Sequence, residues 1–559
     1  MRFLLFAVFF TASAFSLLGQ QTTGLFEYDA QAAEGYTLFS PLLAGSNQYL
    51  LNNCGEVVHT WNSPVTSPAN SMYLLEDGTM LYPARADTAN NNPITGGGGG
   101  ERIIRKDWDG TILWDYIYYD ETKKLHHDIE LLPNGNVLAI AWVLIDSVDC
   151  VAAGRNPERL SRSVLWTERV IEVEPTGPTT GNIVWQWDLW DHLVQDFDPV
   201  RDNYAVVGDH PELLDINWLN TFESDSSRHD FVHLNSIDYN AELDQIVLSS
   251  QVHSEIWIID HSTNTQEAAG HTGGDYGKGG DFLYRWGNPQ VYDRGSANDQ
   301  MLWRQHDANW IEDGLLDAGG IMIYNNGLNR SPGYSEIDVV DPPQITPGVY
   351  DLSVGEAYGP EATTWKYHAE DSVSFYSYFI SGARRLENGN TMICEGESGR
   401  FFEVTHDGEV VWDYVNPVEQ WSTLSSTGII PIANGSYQSN MVFRAQKYPA
   451  NFPGFNGRDL STGVQLEANP ILGSCIVGVD DLNESETVSL YPNPTDGFIT
   501  LENLNGANLT IYNSSGQLLL EQDVNSNKFS VDLEGQSSGL YAIHIDFNGK
   551  RISSKLMVQ

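Results

Sequence analysis

GTILWDY at residues 110–116, GNIVWQW at 181–187 and GEVVWDY at 408–414 follow one formula. Glycine is followed by one free position, two mostly β-favouring residues, an aromatic, one residue and a second aromatic. GEVVHTW at 55–61 and GDFLYRW at 280–286 bring the copies to five, the first carrying His59 in the first aromatic place. The alternation has period two, so each copy reads as a turn leading into a strand, with glycine supplying a positive φ.

A second motif lies between the copies. LLEDGTMLYP (74–83), LLPNGNVLAI (131–140) and RLENGNTMIC (385–394) each read as strand, turn, strand. Their Asp-Gly and Asn-Gly pairs favour the type I′ hairpin turn. Longer-turned versions follow His233 and His306. No helical period competes in the body. Four strands per unit, repeated with aromatic punctuation, predict an all-β chain built as a six-bladed β-propeller. Segments 36–53 and 427–449 supply the strands of a blade closed by both ends of the chain. A sandwich would not explain a fixed five-copy motif. The stretches 86–100, 143–165, 188–230 and 328–378, rich in Gly, Asp, Asn and Pro, read as long loops.

The ends differ from the body. Residues 1–20, MRFLLFAVFFTASAFSLLGQ, read as a signal peptide cleaved near Gly19 or Gln20. Its apolar run is short for a spanning helix, and no transmembrane segment is expected after cleavage. Residues 21–470 form the propeller and 471–487 a polar linker. Residues 488–559 form a small C-terminal β-sandwich of short alternating strands.

The net charge of −46, from 75 acidic and 29 basic residues, excludes a nucleic-acid binder and fits an exported protein kept soluble by self-repulsion. Four scattered cysteines are too few for a disulfide scaffold or a zinc site. No cofactor or metal is called for.

Registering the hairpins on their turn glycines brings out the candidate site. Eight residues before Gly135 and Gly314 stand His127 and His306, and the same place holds Asn70 and Ser381 in two other units. His233 fits once its longer turn is allowed for. If this position ends the innermost strand of each blade, three imidazoles aim at one axial point. Such a cluster can bind a metal, supply a nucleophile with an acid–base partner, or hold an anion. The plain alternative is that each His-Asp pair caps a strand and bonds its own blade. His126, next to His127, should face the opposite way by period two. The remaining histidines considered read as loop or turn residues, with His253 kept in view because it follows the hairpin that His233 opens.

HHDIELLPNGNVL, HLNSIDYNAELDQIVLSSQ, QHDANWIEDG with the later YNNG, RRLENGNTMICEGESGRFFEV and MVFRAQKYPANFPGF together resemble the bacterial aryl-sulfate sulfotransferases over about residues 36–455. The resemblance implies a six-bladed propeller that moves a sulfuryl group from a phenolic sulfate donor to a phenol acceptor without a nucleotide sulfate. It implies His306 as a nucleophile forming a sulfohistidine, with His127 and His233 binding the sulfuryl oxygens and assisting the leaving phenol. Where the family usually places an arginine, this chain has Gln251. Arg330, Arg384 or Arg385 is expected to supply the missing charge, since a guanidinium fork suits the sulfuryl group better than a carboxamide. YPNPTDG, IYNSSGQLL, SSGLYAIHI and KLMVQ resemble the C-terminal sorting domain of type IX secretion, which implies that machinery as a partner and a secreted or cell-surface protein. Two other readings stay open on the residues alone: a non-catalytic propeller binding glycan or protein, and a metal hydrolase with His127, His233 and His306 as ligands.

Overall fold

The computed structural model describes residues 20–63, 68–86, 93–160, 164–218, 229–420, 422–433 and 435–471, together with 475 and most of 489–558. The signal peptide and most of the linker lie outside the described residues. The chain divides into two compact units, the first ending at Ile471 and the second running from Leu472, with Glu27–Gln31 grouped with the second.

Among the described residues of the first unit, six antiparallel sheets form the blades, five of four strands and one, blade six, extended to five by Gly24–Tyr28. Blade one pairs Val442–Pro449, innermost, with Gly35–Pro41, Asn47–Asn52 and Val57–Asn62, so the two ends of the propeller close it in one sheet. Blade two is Tyr73–Leu74, Met80–Ala84, Arg102–Lys106 and Ile112–Ile117. Blade three is Lys123–Leu131, Val137–Asp146, Val164–Gly177 and Thr180–Asp188. Blade four is Leu234–Asn240, Gln245–Ser250, Glu255–Asp260 and Tyr284–Trp286. Blade five is His306–Trp310, Ile321–Asn325, Glu336–Val340 and Trp365–Tyr367, and blade six is Gly382–Arg385, Thr391–Glu395, Arg400–Val404 and Val410–Val415. Among the described residues α-helix is confined to two short pieces, Ser147–Ala152 and Thr265–Ala268, within the excursions.

Two sequence expectations change. The stretch 328–378 is not all loop, because it holds the two outer strands of blade five. That blade keeps only the aromatic pair, Trp365 and Tyr367, without the leading glycine. The hairpin turns are not type I′, which would need two central residues at positive φ. In Leu132-Pro133-Asn134-Gly135 only Gly135 is left-handed (φ 87°); Gly135 N–H donates to Leu132 O at 2.9 Å and Leu132 N–H to Asn136 O at 2.9 Å. This is a type I turn closed by a left-handed glycine, which also suits Pro133. The outer turns at Gly55, Gly110 and Gly408 share it. Gly181 and Gly280 are outside the left-handed region. A Cβ on Gly181 would meet Val173 Cγ1 at 2.7 Å, and one on Gly280 would meet Ala268 O at 2.0 Å.

The first aromatic of each copy has one task throughout. His59 donates to Trp108 O at 3.0 Å, Trp114 to Thr180 O at 3.1 Å and Trp185 to Thr263 Oγ1 at 3.1 Å. Tyr284 donates to Gly359 O at 2.7 Å, Trp365 to His406 O at 2.8 Å and Trp412 to Asn53 O at 2.7 Å. Each acceptor lies at or between the third and fourth strands of the next blade, so six side-chain donors lock the ring from blade one round to blade one. His59 conserves the donor where the aromatic formula fails.

The second unit holds two sheets: Ser489–Tyr491, Phe498–Glu502 and Lys528–Asp532 in one, and Leu518–Val524, Ala507–Tyr512, Gly539–Phe547 and Lys550–Val558 in the other. Ile499, Leu501, Leu509, Ile511, Val531, Tyr541, Ile543 and Leu556 form its core, as in a small β-sandwich.

Candidate active site

His127 lies within the innermost strand of blade three, His233 just before that of blade four, and His306 opens that of blade five. The His127 and His233 rings stand 4.6 Å apart and nearly perpendicular. His306 shares their electrostatic neighbourhood. His127 and His233 adopt φ of 54° and 55°, left-handed values that interrupt strand alternation. The pairing with Val137–Asp146 slips between Ala139 and Ala141 at the same place. His126 therefore does not face away. Its Nδ1 sits 2.8 Å from His127 Nδ1, and its Nε2 sits 2.8 Å from the buried carboxylate of Glu168.

Each of the three imidazoles is held through Nδ1. His306 Nδ1 lies 2.7 Å from Asn326 Oδ1, while Asn326 Nδ2 donates to Ser377 O at 2.7 Å and Ile380 O at 2.9 Å. Two carbonyls accept only, so the amide nitrogen must face them and Oδ1 must face the ring. His306 therefore carries its hydrogen on Nδ1 and its lone pair on Nε2, where Ile380 N–H donates at 3.2 Å. Burial pulls the His306 pKa down to about 3, against the opposing Asn326 hydrogen bond, so the ring is neutral in ordinary buffers. His233 Nδ1 is bonded to Asp230 Oδ2. Burial, then the neighbouring imidazoles and Arg444, holds His127 well below the usual histidine range.

Gly98 explains the glycine run at 96–100. Its carbonyl accepts from His127 N–H at 2.8 Å and from Asn70 Nδ2 at 2.5 Å. A Cβ there would sit 2.2 Å from His127 Cε1 and Nε2, so only glycine lets this loop cover the ring. Asn70 thus anchors the loop instead of joining the imidazoles. Ser381 Oγ is taken up by Ser377 Oγ and Gly396 N–H, both at 2.9 Å. His253 is buried against Trp218, Phe231 and Trp257, bonded to Ser250 Oγ at 2.9 Å.

Each of the expected cations is paired with a carboxylate. Arg330 pairs with Glu336 and donates to Tyr334 O. Arg385 is bound by Thr391 Oγ1 and Asp317 Oδ2, each at 2.6 Å, with its guanidinium over Trp365. Arg384 forms an ion pair with Asp307 at 3.1 Å. Beside Gln251 stands the buried Arg304, two residues before His306, whose Nη1 donates to Gln251 Oε1 at 3.2 Å. Arg444, from the closing strand, meets Asp128 Oδ2 at 2.6 Å, Asn235 O at 2.9 Å and Asp307 Oδ1 at 3.2 Å, spanning blades three, four and five. Both arginines lie in the quoted motifs or directly beside them, but nothing in the spacing marks them out.

The aspartates of the two His-Asp pairs reach across blades, although Asp128 Oδ1 also accepts from Ile129 N–H of its own strand at 3.0 Å. Asp128 Oδ2 accepts from Ile237 N–H at 3.3 Å in blade four, and Asp307 Oδ2 from Ala383 N–H at 3.0 Å in blade six. These clasps set the azimuth of each inner strand and, with it, the imidazole one residue before.

The family model described as Arylsulfotransferase (ASST) matches residues 40–420. The chain belongs to the arylsulfotransferase family. A Secretion system C-terminal sorting domain matches residues 489–559, which supports export of this arylsulfotransferase-family protein to the cell surface or the extracellular space. Among curated proteins, β-agarase A of Zobellia galactanivorans is 43% identical over 76 residues, 13% of each chain. An ulvan lyase of Nonlabens ulvanivorans is 35% identical over 82 residues, 14% of this chain and 15% of the lyase. The chain thus spans a small part of these relatives' length. A protein of unknown function from Bacteroides caccae aligns with 12% identity and a TM-score of 0.39, over 74% of this chain and 99% of that one. The β-propeller domain of Cps50 (Swd1) from Myceliophteria thermophila aligns with 10% identity and a TM-score of 0.34, over 73% and 90%. Among the described residues no helix is long and apolar enough to cross a membrane.

Proposed function

We propose that residues 21–470 catalyse transfer of a sulfuryl group from a phenolic sulfate ester to a phenol through a sulfohistidine on His306, with 471–487 as linker and 488–559 as sorting domain. The observation that carries this reading is the fixed tautomer of His306, a buried, neutral imidazole whose lone pair is on Nε2. In the first half-reaction Nε2 exchanges the Ile380 N–H for the sulfur atom. The N–S bond forms as the bond from sulfur to the phenolic oxygen breaks. The ring becomes cationic, and Asn326 Oδ1, already accepting from Nδ1–H, stabilises that charge.

The departing phenolate takes a proton from His127 Nε2. That proton is replaced along a chain: Glu168 to His126 Nε2, then His126 Nδ1–H to His127 Nδ1. Burial, reinforced by Asp230, holds the Glu168 carboxyl well above the usual range, so it has a proton to give. The second half-reaction runs in reverse. The acceptor hydroxyl returns its proton through His127 to Glu168, its oxygen attacks sulfur, and the N–S bond breaks. Arg304, oriented by Gln251, and His233, oriented by Asp230, bind the sulfuryl oxygens, which answers the substitution of the family arginine by Gln251.

The test is a chromogenic aryl sulfate with and without added phenol. Phenol-stimulated colour release is expected, with ping-pong kinetics. His306→Ala should lower turnover by at least about 10⁴-fold. Phenol-independent release dependent on metal would favour a hydrolase, and no release from any ester tried would favour a binding propeller.

A further inference from the structure

Away from the central histidines, the excursion after the fourth strand of blade three meets the loop before the fourth strand of blade four. His192 ends the short turn Leu189–Asp191 and is fully buried; Asp281 is buried, while the His271 side chain is 59% exposed. Both Nδ1 atoms lie 2.8 Å from the same oxygen, Asp281 Oδ1, and one donor atom from each residue lies within 4.8 Å of the others.

The hydrogen on His192 can be located. Its Nε2 lies 2.8 Å from Ala268 O, an acceptor only, so Nε2 carries the hydrogen. In a neutral ring Nδ1 then holds a lone pair aimed at a carboxylate oxygen that also holds lone pairs. Two lone pairs facing each other at 2.8 Å need a positive centre between them, a proton or a metal ion. A ring N–H committed to a backbone carbonyl, with the other nitrogen aimed at a carboxylate and a second imidazole, is the arrangement metal-binding histidines usually have. The loop is built for the approach: a Cβ on Gly280 would lie 2.6 Å from His192 Nε2, and one on Gly273 2.6 Å from Glu267 Cγ.

We infer that His192, His271 and Asp281 bind one divalent transition-metal ion of the zinc class. Two imidazoles and one carboxylate make a borderline-soft N/O set that suits zinc and disfavours calcium, and the exposed side at His271 leaves room for water as a fourth ligand. Zinc bond lengths of about 2.0–2.1 Å require the donors to open by only about half an ångström. The ion would pin blade three's excursion to blade four. That excursion pairs Leu193–Val194 with Leu214–Asp215 and reaches Trp218, which packs on His253.

The experiment uses the full chain, stripped with EDTA and titrated with zinc by calorimetry, with thermal unfolding followed in parallel. One equivalent should bind and raise Tm. His271→Ala, a change at an exposed side chain that leaves the fold intact, should weaken binding at least tenfold and abolish the rise. His306→Ala and His210→Ala should bind as the wild type does. Absence of a zinc-dependent rise in wild type, unchanged binding by His271→Ala, or loss of binding in His306→Ala would each overturn the site; the last would move the ion to the central histidines.

Discussion

One amide sets the chemistry available at His306. Because Asn326 spends both amide hydrogens on Ser377 O and Ile380 O, its oxygen has to face the ring, and the nucleophilic nitrogen follows. Gly98 exerts similar control on His127 by steric means. Gly98→Ala combines a φ of 86° with a Cβ 2.2 Å from the imidazole, so the ring or the loop must move. We expect a folded variant with kcat/KM reduced about 100-fold, the scale of an ångström-sized misplacement, and an unchanged circular dichroism spectrum. At this scale the sequence was informative about residues and poor about partners. His127, His233 and His306 share a register position that a repeat exposes. The Asn326 orientation, the His126–Glu168 chain and the Arg304–Gln251 bond join residues from 1 to 54 positions apart and depend on backbone angles that alternation alone misses. His126 shows this best: period two turns it outward, and the left-handed φ of His127 brings it back.

Among elements, the outer strand of each blade is the recurring part, and its first aromatic is a hydrogen-bond donor before it is a ring. This makes Tyr284→Phe informative, because it removes one hydroxyl from a fully buried site and leaves the packing. The bond to Gly359 O links blade four to blade five, and its loss should cost about 1 kcal/mol in urea-induced unfolding, with activity retained. A destabilisation below a few tenths of that would mean the lock is packing alone. The strand order and the closing blade could be read from the motif because period-two alternation and turn glycines are local signals. Blade five's outer strands could not, since their aromatic pair lacks the leading glycine and stands among loop-like residues. The turn type differs from the expectation for a related reason: Asn-Gly suits two turns, and Pro133 one place earlier decides between them in that hairpin.

For the whole molecule, closure concentrates buried charge and buried neutral imidazole on one axis. Arg444 arrives on the last strand of the ring and spans Asp128 and Asp307; burial lowers its pKa, but the two carboxylates outweigh that and hold the guanidinium charged. His127 and His306 beside it are held below the usual histidine range, chiefly by burial, and that sets an acid limit on the fold. His306 in the folded chain titrates at about 3 and in the unfolded chain near 6.5. Below 6.5 the unfolded chain takes up a proton that the folded chain refuses, so stability falls as pH drops from about 6.5 towards 3. His126, also at about 3, adds to the same slope. Asp238, pushed up to about 7 chiefly by burial, acts in the opposite sense, because stability is lost as pH rises from its unfolded value towards 7. The His306 contribution is separated from these by His306→Gln, which cannot titrate. Relative to wild type, the variant should gain roughly 2–3 kcal/mol between pH 8 and pH 4.5, read from urea midpoints at the two pH values. A constant difference at both would mean that His306 takes up its proton in the folded chain, and the neutral nucleophile would be lost with it.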